Sequence, residues 1–432
     1  MFQTIVNAFK IKDVRRKILI TIALLFIYRL GCVIPVPGVN FMAGLENFQF
    51  LEIMSAVSGG ALQQGAFFAM GIGPYINASI IIQLLTVAIP ALERLSKQGE
   101  EGRKKINAYT RALTLLLAIV QSIGIILAFK GNTQGGVFSI EFDKIFGSTG
   151  FGLVMSYIFL VTAYTAGAAF TMWLGERITD YGVSNGISLL IFAGILSTAG
   201  NAILGVVEKI GSDATAIWNL LGFILVAVLI FAAIVTVSSA ERKIPVQYAK
   251  QVQGRKMYGG QSTHIPIKVN SSGVMPLIFA YSILSFPDLV LALVGVDSQN
   301  WWSTNMGTGT VPYMVVLCVL ILFFSYFYNQ IQFNPDDVSK SIQGNGGFIP
   351  GTRPGKPTAD YLKKVSGRIT LFGAIYLALV ALVPSIAFGF IEASLINVFS
   401  ATGLLIVVSV ALEFEQALQS QIMMKNYKGF LK

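Results

Sequence analysis

Few side chains in this chain could do covalent or acid–base chemistry, and their placement argues against it. The one histidine, His264, has no cysteine, histidine or cluster of carboxylates near it in sequence, so no metal site is expected there. Cys32 and Cys318 lie inside or at the edge of apolar blocks, where a thiol acts as a small hydrophobe. No Gly-x-x-x-x-Gly-Lys-Ser/Thr phosphate loop and no His-Glu-x-x-His pair is present. The expectation is a protein that is not an enzyme and needs neither cofactor nor metal. What the apolar blocks do hold is isoleucine at helical spacing. Ile76 and Ile80 in "GPYINASIIIQLL", and Ile187 and Ile191 in "SNGISLLIFAGI", are each four apart and stack on one helix face. Such spacing alone says little, because isoleucine in apolar helices usually faces lipid.

The elements that carry these residues belong in a bilayer. Mean hydropathy is +0.69, with 54% apolar and 12% charged residues, outside the range of a soluble domain. A helix needs about 20 apolar residues to cross hydrocarbon. Stretches of that kind fall at about 18–34, 72–90, 112–129, 151–174, 183–206, 216–238, 274–294, 311–331, 369–390 and 395–412. The basic segment Lys10–Lys17 before the first resembles the start of a signal peptide, but no small-x-small cleavage site follows, so it reads as a retained span. With ten spans and alternating loops, 27 of the 31 Lys and Arg fall on one side, which makes that side and both termini cytoplasmic. Arg29, Glu176, Arg177, Glu413 and Glu415 sit near span ends, where snorkelling and interfacial placement account for them.

Two features need more than spans. "SGGALQQGAFFAMGIGPYI", from Ser58 to Ile76, is apolar enough to enter a bilayer yet too Gly-rich for a stable spanning helix, and Gln63 and Gln64 would be costly against lipid. Two inner loops, about 240–272 and 333–368, are long and basic; their Gly and Pro turns and aromatic residues suit structured, projecting hairpins. Ten spans divide into five and five near residue 206, and an odd number forces a second half of like build to enter in the opposite sense. That arrangement leaves two rival functions, a secondary transporter and a channel between halves. Span interiors almost free of ionisable groups disfavour ion-coupled transport.

"GPYINASIIIQLLTVAIP", "EEGRKKINAYTRALTLLL", "SNGISLLIFAGI", "QGRKMYGGQSTHIPIKVNSSGVMPLIFA" and "GFIPGTRPGKPTADYL" together resemble the signature blocks of the SecY family, in that family's order and over most of the chain. The resemblance implies an all-α polytopic membrane protein: ten transmembrane helices in two inverted halves, 1–206 and 207–432, around an hourglass pore, with a re-entrant plug helix at about 53–70. It further implies a protein-conducting channel of the bacterial cytoplasmic membrane that moves unfolded preproteins and releases membrane helices into lipid. Carried over residue by residue, the pore ring would be Ile76, Ile80, Ile187, Ile191, Ile278 and Ile406, with Leu405 the competitor for the last place. The plug would include Ser58, Gly59, Gly60, Ala61, Leu62, Gln63 and Gln64, hinged at Gly71, Gly73 and Pro74. A lateral gate would involve Gln83, Gln121, Ser282 and Phe286. Arg255, Lys256, Arg353 and Lys356 would dock a ribosome or the SecA motor, and SecE and SecG would be companion subunits. Signal sequences, nascent polypeptides and membrane lipid complete the expected partners, with no readout of nucleic-acid sequence.

Overall fold

The computed structural model describes residues 2–37, 39, 54, 55, 58–130, 151–210, 215–248, 251–253, 256–258, 262–270, 273–294, 301–307, 310–388 and 401–429. Its helices are α1 (Phe2–Lys10), α2 (Lys12–Val33), α3 (Gly73–Ala88), α4 (Pro90–Ser96), α5 (Glu100–Lys130), α6 (Phe151–Tyr181), α7 (Gly186–Ile210), α8 (Thr215–Ser239), α9 (Met275–Val294), α10 (Trp301–Asn305), α11 (Val311–Gln332), α12 (Pro335–Gly344), α13 (Lys356–Phe388) and α14 (Ala401–Gly429). Strands β1 (Glu241–Tyr248), β2 (Gln251–Gln253), β3 (Lys256–Tyr258) and β4 (Ser262–Lys268) follow α8, and β5 (Gly347–Phe348) follows α12. Among the described residues the fold is mostly helical, and the strands depart from the all-α protein expected. Described helical residues fall within each of the ten apolar stretches. Among the described residues four helical segments are long and apolar enough to cross a membrane, or five if the bent pair α3–α4 counts as one.

That bend has a local cause. Pro74 and Pro90 each sit in the first turn of their helix, where a missing N–H costs nothing. Pro90 also excludes helical geometry from the residue before it. Ile89 is accordingly extended, at φ −107° and ψ 113°, and the chain turns through 106° between α3 and α4.

The chain divides into two compact units. One comprises Met1–Ile217, Ser282–Thr310 and Val410–Lys432. Its core joins Leu62, Ala69 and Met70 to Ala118, Ile125 and Ile126 of α5 and to Leu160, Tyr164 and Ala168 of α6. A smaller cluster ties Ala8 of α1 and Val14 and Ile18 of α2 to Val183 and to Leu418 of α14. Helices α6 and α7 approach closely through small residues: a side chain on Gly186 would run into the carbonyl of Gly175.

The second unit comprises Trp218–Tyr281 and Val311–Ser409. In it β1 lies between β4 and β5, pairing antiparallel with both. Alternation along β1 buries Ile244 and Val246 and exposes their neighbours. Pro245 has no N–H to give, and it lies beyond the two-residue β5, where β1 has one neighbour only. Helix α12 starts cleanly, because Asn334 Oδ1 accepts the Asp336 N–H at 3.2 Å and Pro335 follows at the first helical position. One apolar cluster then unites the two long basic loops, about 240–272 and 333–368: Ile244, Val246 and Ile267 of the sheet, Ile342 of α12, Ile349, and Leu362 of α13.

Candidate functional site

The Gly-rich segment is seated inside the first unit. Met54, Ser55 and Ser58 are helical, but from Gly59 to Ile72 the chain runs in turns, so the expected plug helix gives way after Ser58. The reason is backbone conformation: Gly59, Gly60, Gly65 and Gly71 all have positive φ, from 52° to 84°, which residues with a Cβ rarely adopt. Ser58, Ala61 and Leu62 are fully buried, while Gln63 and Gln64 are exposed. The exposed pair explains how two glutamines are tolerated here, since their amides do not enter the apolar core.

Three sets of contacts fix the segment. The chain leaving α2 runs beside it as a short ladder, with the Val36 N–H donating to the Gly65 carbonyl at 2.9 Å and the Phe67 N–H to the Ile34 carbonyl at 3.1 Å. Phe68 stacks between Tyr28 of α2 and Phe170 of α6, at centroid distances of 6.0 and 5.7 Å. Its ring fills the space where a side chain on Gly31 would be. Finally, the guanidinium of Arg29 donates to the Gly59 carbonyl at 3.1 Å.

Of the three expected hinge residues, Gly71 alone has positive φ. Its carbonyl accepts from Thr171 Oγ1 at 2.8 Å, and a Cβ on it would lie 3.3 Å from that of Ser58, so the segment folds back on its own start. Gly73 has room for a side chain beside Met54, and Pro74 begins α3.

Of the isoleucines chosen for a ring, four lie in the first unit. Ile76 is half-buried and Ile80 buried on α3; Ile187 is half-buried and Ile191 buried on α7. Ile187 Cγ1 comes within 3.5 Å of the position a Gly175 Cβ would take, so part of this side chain faces α6. Ile278 on α9 and Ile406 on α14 belong to the second unit. Ile406 is 6% exposed and Leu405 1%, so burial does not separate these two competitors.

The expected gate residues sit on helices that pack in pairs. Gln83 on α3 donates to Ser79 Oγ at 3.2 Å, and Gln121 is buried on the adjoining α5 with its Oε1 unpaired among the described residues. Phe279 of α9 meets Phe324 and Tyr328 of α11 edge-on, at 5.6 and 5.3 Å. Further along α9, Ser282 is half-buried and Phe286 exposed. At the other end of α5, Arg111 pairs with Glu176 of α6 at 2.7 Å, so Glu176 is an interhelical partner as well as a span terminus.

Of the expected docking residues, Arg255 lies outside the described residues and Lys256 opens β3. Arg353 and Lys356 are exposed in the turn leading into α13. The turn is held by its backbone: Thr358 Oγ1 donates to the Arg353 carbonyl at 2.8 Å, and Ser339 Oγ to that of Gly355 at 2.7 Å. Both bonds leave the Arg353 side chain outward and available.

Sequence reasoning missed the role of Arg29, read as a snorkelling residue, and of Phe68. The only signal for either was a cation and an aromatic residue near a run of glycines.

Comparison with known proteins agrees with this architecture. The SecY family model matches residues 66–415. The protein translocase subunits SecY of Streptomyces scabiei and of Mycobacterium tuberculosis H37Rv are each 41% identical to this chain, over the full length of both partners. Among solved structures, a protein-conducting channel superposes with a TM-score of 0.68 at 20% identity, covering 94% of this chain and 92% of its own. A SecY channel whose plug domain stabilises the closed state and maintains a membrane seal gives 0.65 at 20%, with the same coverage. Sec61 in the canine ribosome–channel complex from the endoplasmic reticulum gives 0.64 at 18%, again covering 94% and 92%.

Proposed function

This chain belongs to the SecY family, and from that membership we propose that it conducts unfolded secretory preproteins across the bacterial cytoplasmic membrane and releases membrane helices sideways into lipid. The observation that carries the reading is the seated segment from Gly59 to Ile72. It is irregular backbone among helices of membrane-spanning character, and such backbone is tolerated at that depth only where it is buried in protein or lines a cavity. A segment sealed by apolar contacts yet held largely by backbone hydrogen bonds suits a removable stopper.

In this reading ten spans form two inverted halves, 1–206 and 207–432, with both termini cytoplasmic. Ile76, Ile80, Ile187, Ile191, Ile278 and Ile406 narrow the passage between them. Isoleucine is stiff at χ1, and a narrow aliphatic constriction excludes ions by dewetting while binding no passing side chain strongly. The lateral gate runs between the pair α3–α5, with Gln83 and Gln121, and the pair α9–α11, with Ser282 and Phe286. Each pair has its own internal contacts, which favours separation of pair from pair over unravelling of either. Arg255, Lys256, Arg353 and Lys356 meet a ribosome or the SecA motor, which supplies the energy, and SecE and SecG complete the complex.

Photo-crosslinking of an arrested preprotein tests the proposal. A crosslinker at Ile191 should capture the preprotein, and one at the exposed Leu221 of α8 should not. Capture at neither position, or equally at both, would overturn a central passage.

A further inference from the structure

We propose that Arg29 is the latch of the stopper, a positioning residue whose bond to Gly59 holds the closed state. The inference rests on the plug reading above. Arg29 lies in the last turn and a half of α2, half-buried, and among the described residues it forms no ion pair. A cation there would ordinarily reach for water. Instead Nη1 donates to the Gly59 carbonyl at 3.1 Å, a charge-assisted bond and so stronger than a neutral one.

Gly59 is built to receive it. Its φ of +72° turns the carbonyl out at the end of the short helical stretch, and it is wedged between two elements. A Cβ on Gly59 would come within 2.5 Å of Arg29 Nη1, 3.1 Å of the Gly194 carbonyl oxygen and 3.3 Å of Gly194 Cα on α7. The stopper is thus clipped between a guanidinium on one helix and bare backbone on another. Arg29 also lies against Cys32 of its own helix, but the bond to Gly59 is the one that moving the stopper out breaks, so the latch acts only on the closed form. The bond is made to main chain, so side chains of the segment can vary without loss of the latch.

The test is resting ion conductance of the complete complex in planar bilayers, at matched channel abundance. Arg29→Gln should raise it by about tenfold or more, tenfold being the low end of the scale for loss of a bond to a charged group. Arg29→Lys, which keeps a charged donor of similar reach where glutamine has only a shorter neutral one, should restore most of the seal. Gly59→Ala attacks the same contact from the other side and should leak like Arg29→Gln, so the inference does not depend on one variant folding. Deleting residues 58–64 should itself raise conductance, and adding Arg29→Gln to the deletion should change nothing further. A deletion without effect would remove the plug reading, and the latch with it. A leaking deletion combined with a tight Arg29→Gln, or with an Arg29→Gln effect that persists on the deleted background, would remove the latch alone.

Discussion

Phe68→Ala is the substitution that most directly measures how firmly the stopper is seated. The ring is 7% exposed and lies nearly parallel to Tyr28 and Phe170, with interplanar angles of 12° and 24°. Truncating a buried phenylalanine costs about 3–5 kcal/mol, of which each aromatic pair accounts for about 0.5–1.5 kcal/mol. Only the part of that cost absent from the open state shifts the gating equilibrium. If half is retained because the displaced ring finds other apolar contacts, the closed state loses about 2 kcal/mol, a change of about thirtyfold in the open-to-closed ratio. Single-channel recording at rest should show this as a rise in open probability, and cells should export a precursor with a defective signal sequence. Phe372→Ala serves as control, since that ring is 63% exposed and little burial is lost when it is truncated. Parental open probability in a Phe68→Ala channel of normal abundance would refute the reasoning, because the stack would then contribute equally to both states.

Three further outcomes are expected. Ile406→Asn should hydrate the constriction and destabilise the closed state by about 1–2 kcal/mol, raising export of signal-defective precursors five- to about thirtyfold; if only Leu405→Asn does so, Leu405 takes the place in the ring. Arg353→Glu should depress motor-driven translocation in vesicles while the protein stays folded and inserted, because the side chain is exposed and the turn is held by backbone contacts. Normal transport would remove Arg353 from the docking surface. Single cysteines at Ser96 and Asn132, in a background lacking Cys32 and Cys318, should react with an impermeant maleimide from opposite sides of the membrane, and labelling from one side would overturn the span order.

What the sequence discloses here follows the range of the interactions. The helices are legible because apolar runs of spanning length are a local signal; the break after Ala88 falls inside what reads as one span at 72–90, and Pro90 is its cause. The hairpin after α8 follows from its Gly and Pro turns and aromatic residues. Its union with the second long basic loop does not, because Ile244 meets Ile342 and Leu362 across about a hundred residues, with nothing in either loop to name the other. Arg29 shows the same limit. Thirty residues separate it from Gly59, and a cation near a span end reads as interfacial until its acceptor is known. The plug helix was expected of residues 53–70 as a whole; glycine φ values ended it at Ser58, a conformational preference that composition hints at but cannot position.

The shared core of the two long basic loops has a mechanical consequence. Helix α13 passes through that core at Leu362, in its second turn, and continues without interruption into apolar sequence; its Lys356–Leu382 portion is 27 residues, about 40 Å of rod. Asn329 and Ser366 bolt it to α11 by a buried hydrogen bond of 2.9 Å. A load applied at Lys356 therefore acts on a long arm with its fulcrum near the sheet. Tilting such an arm by about 5° about Leu362 sweeps Leu382, about 30 Å away, through about 2–3 Å. A partner need only lean on the Lys356 end for side chains deep in the helix to change neighbours.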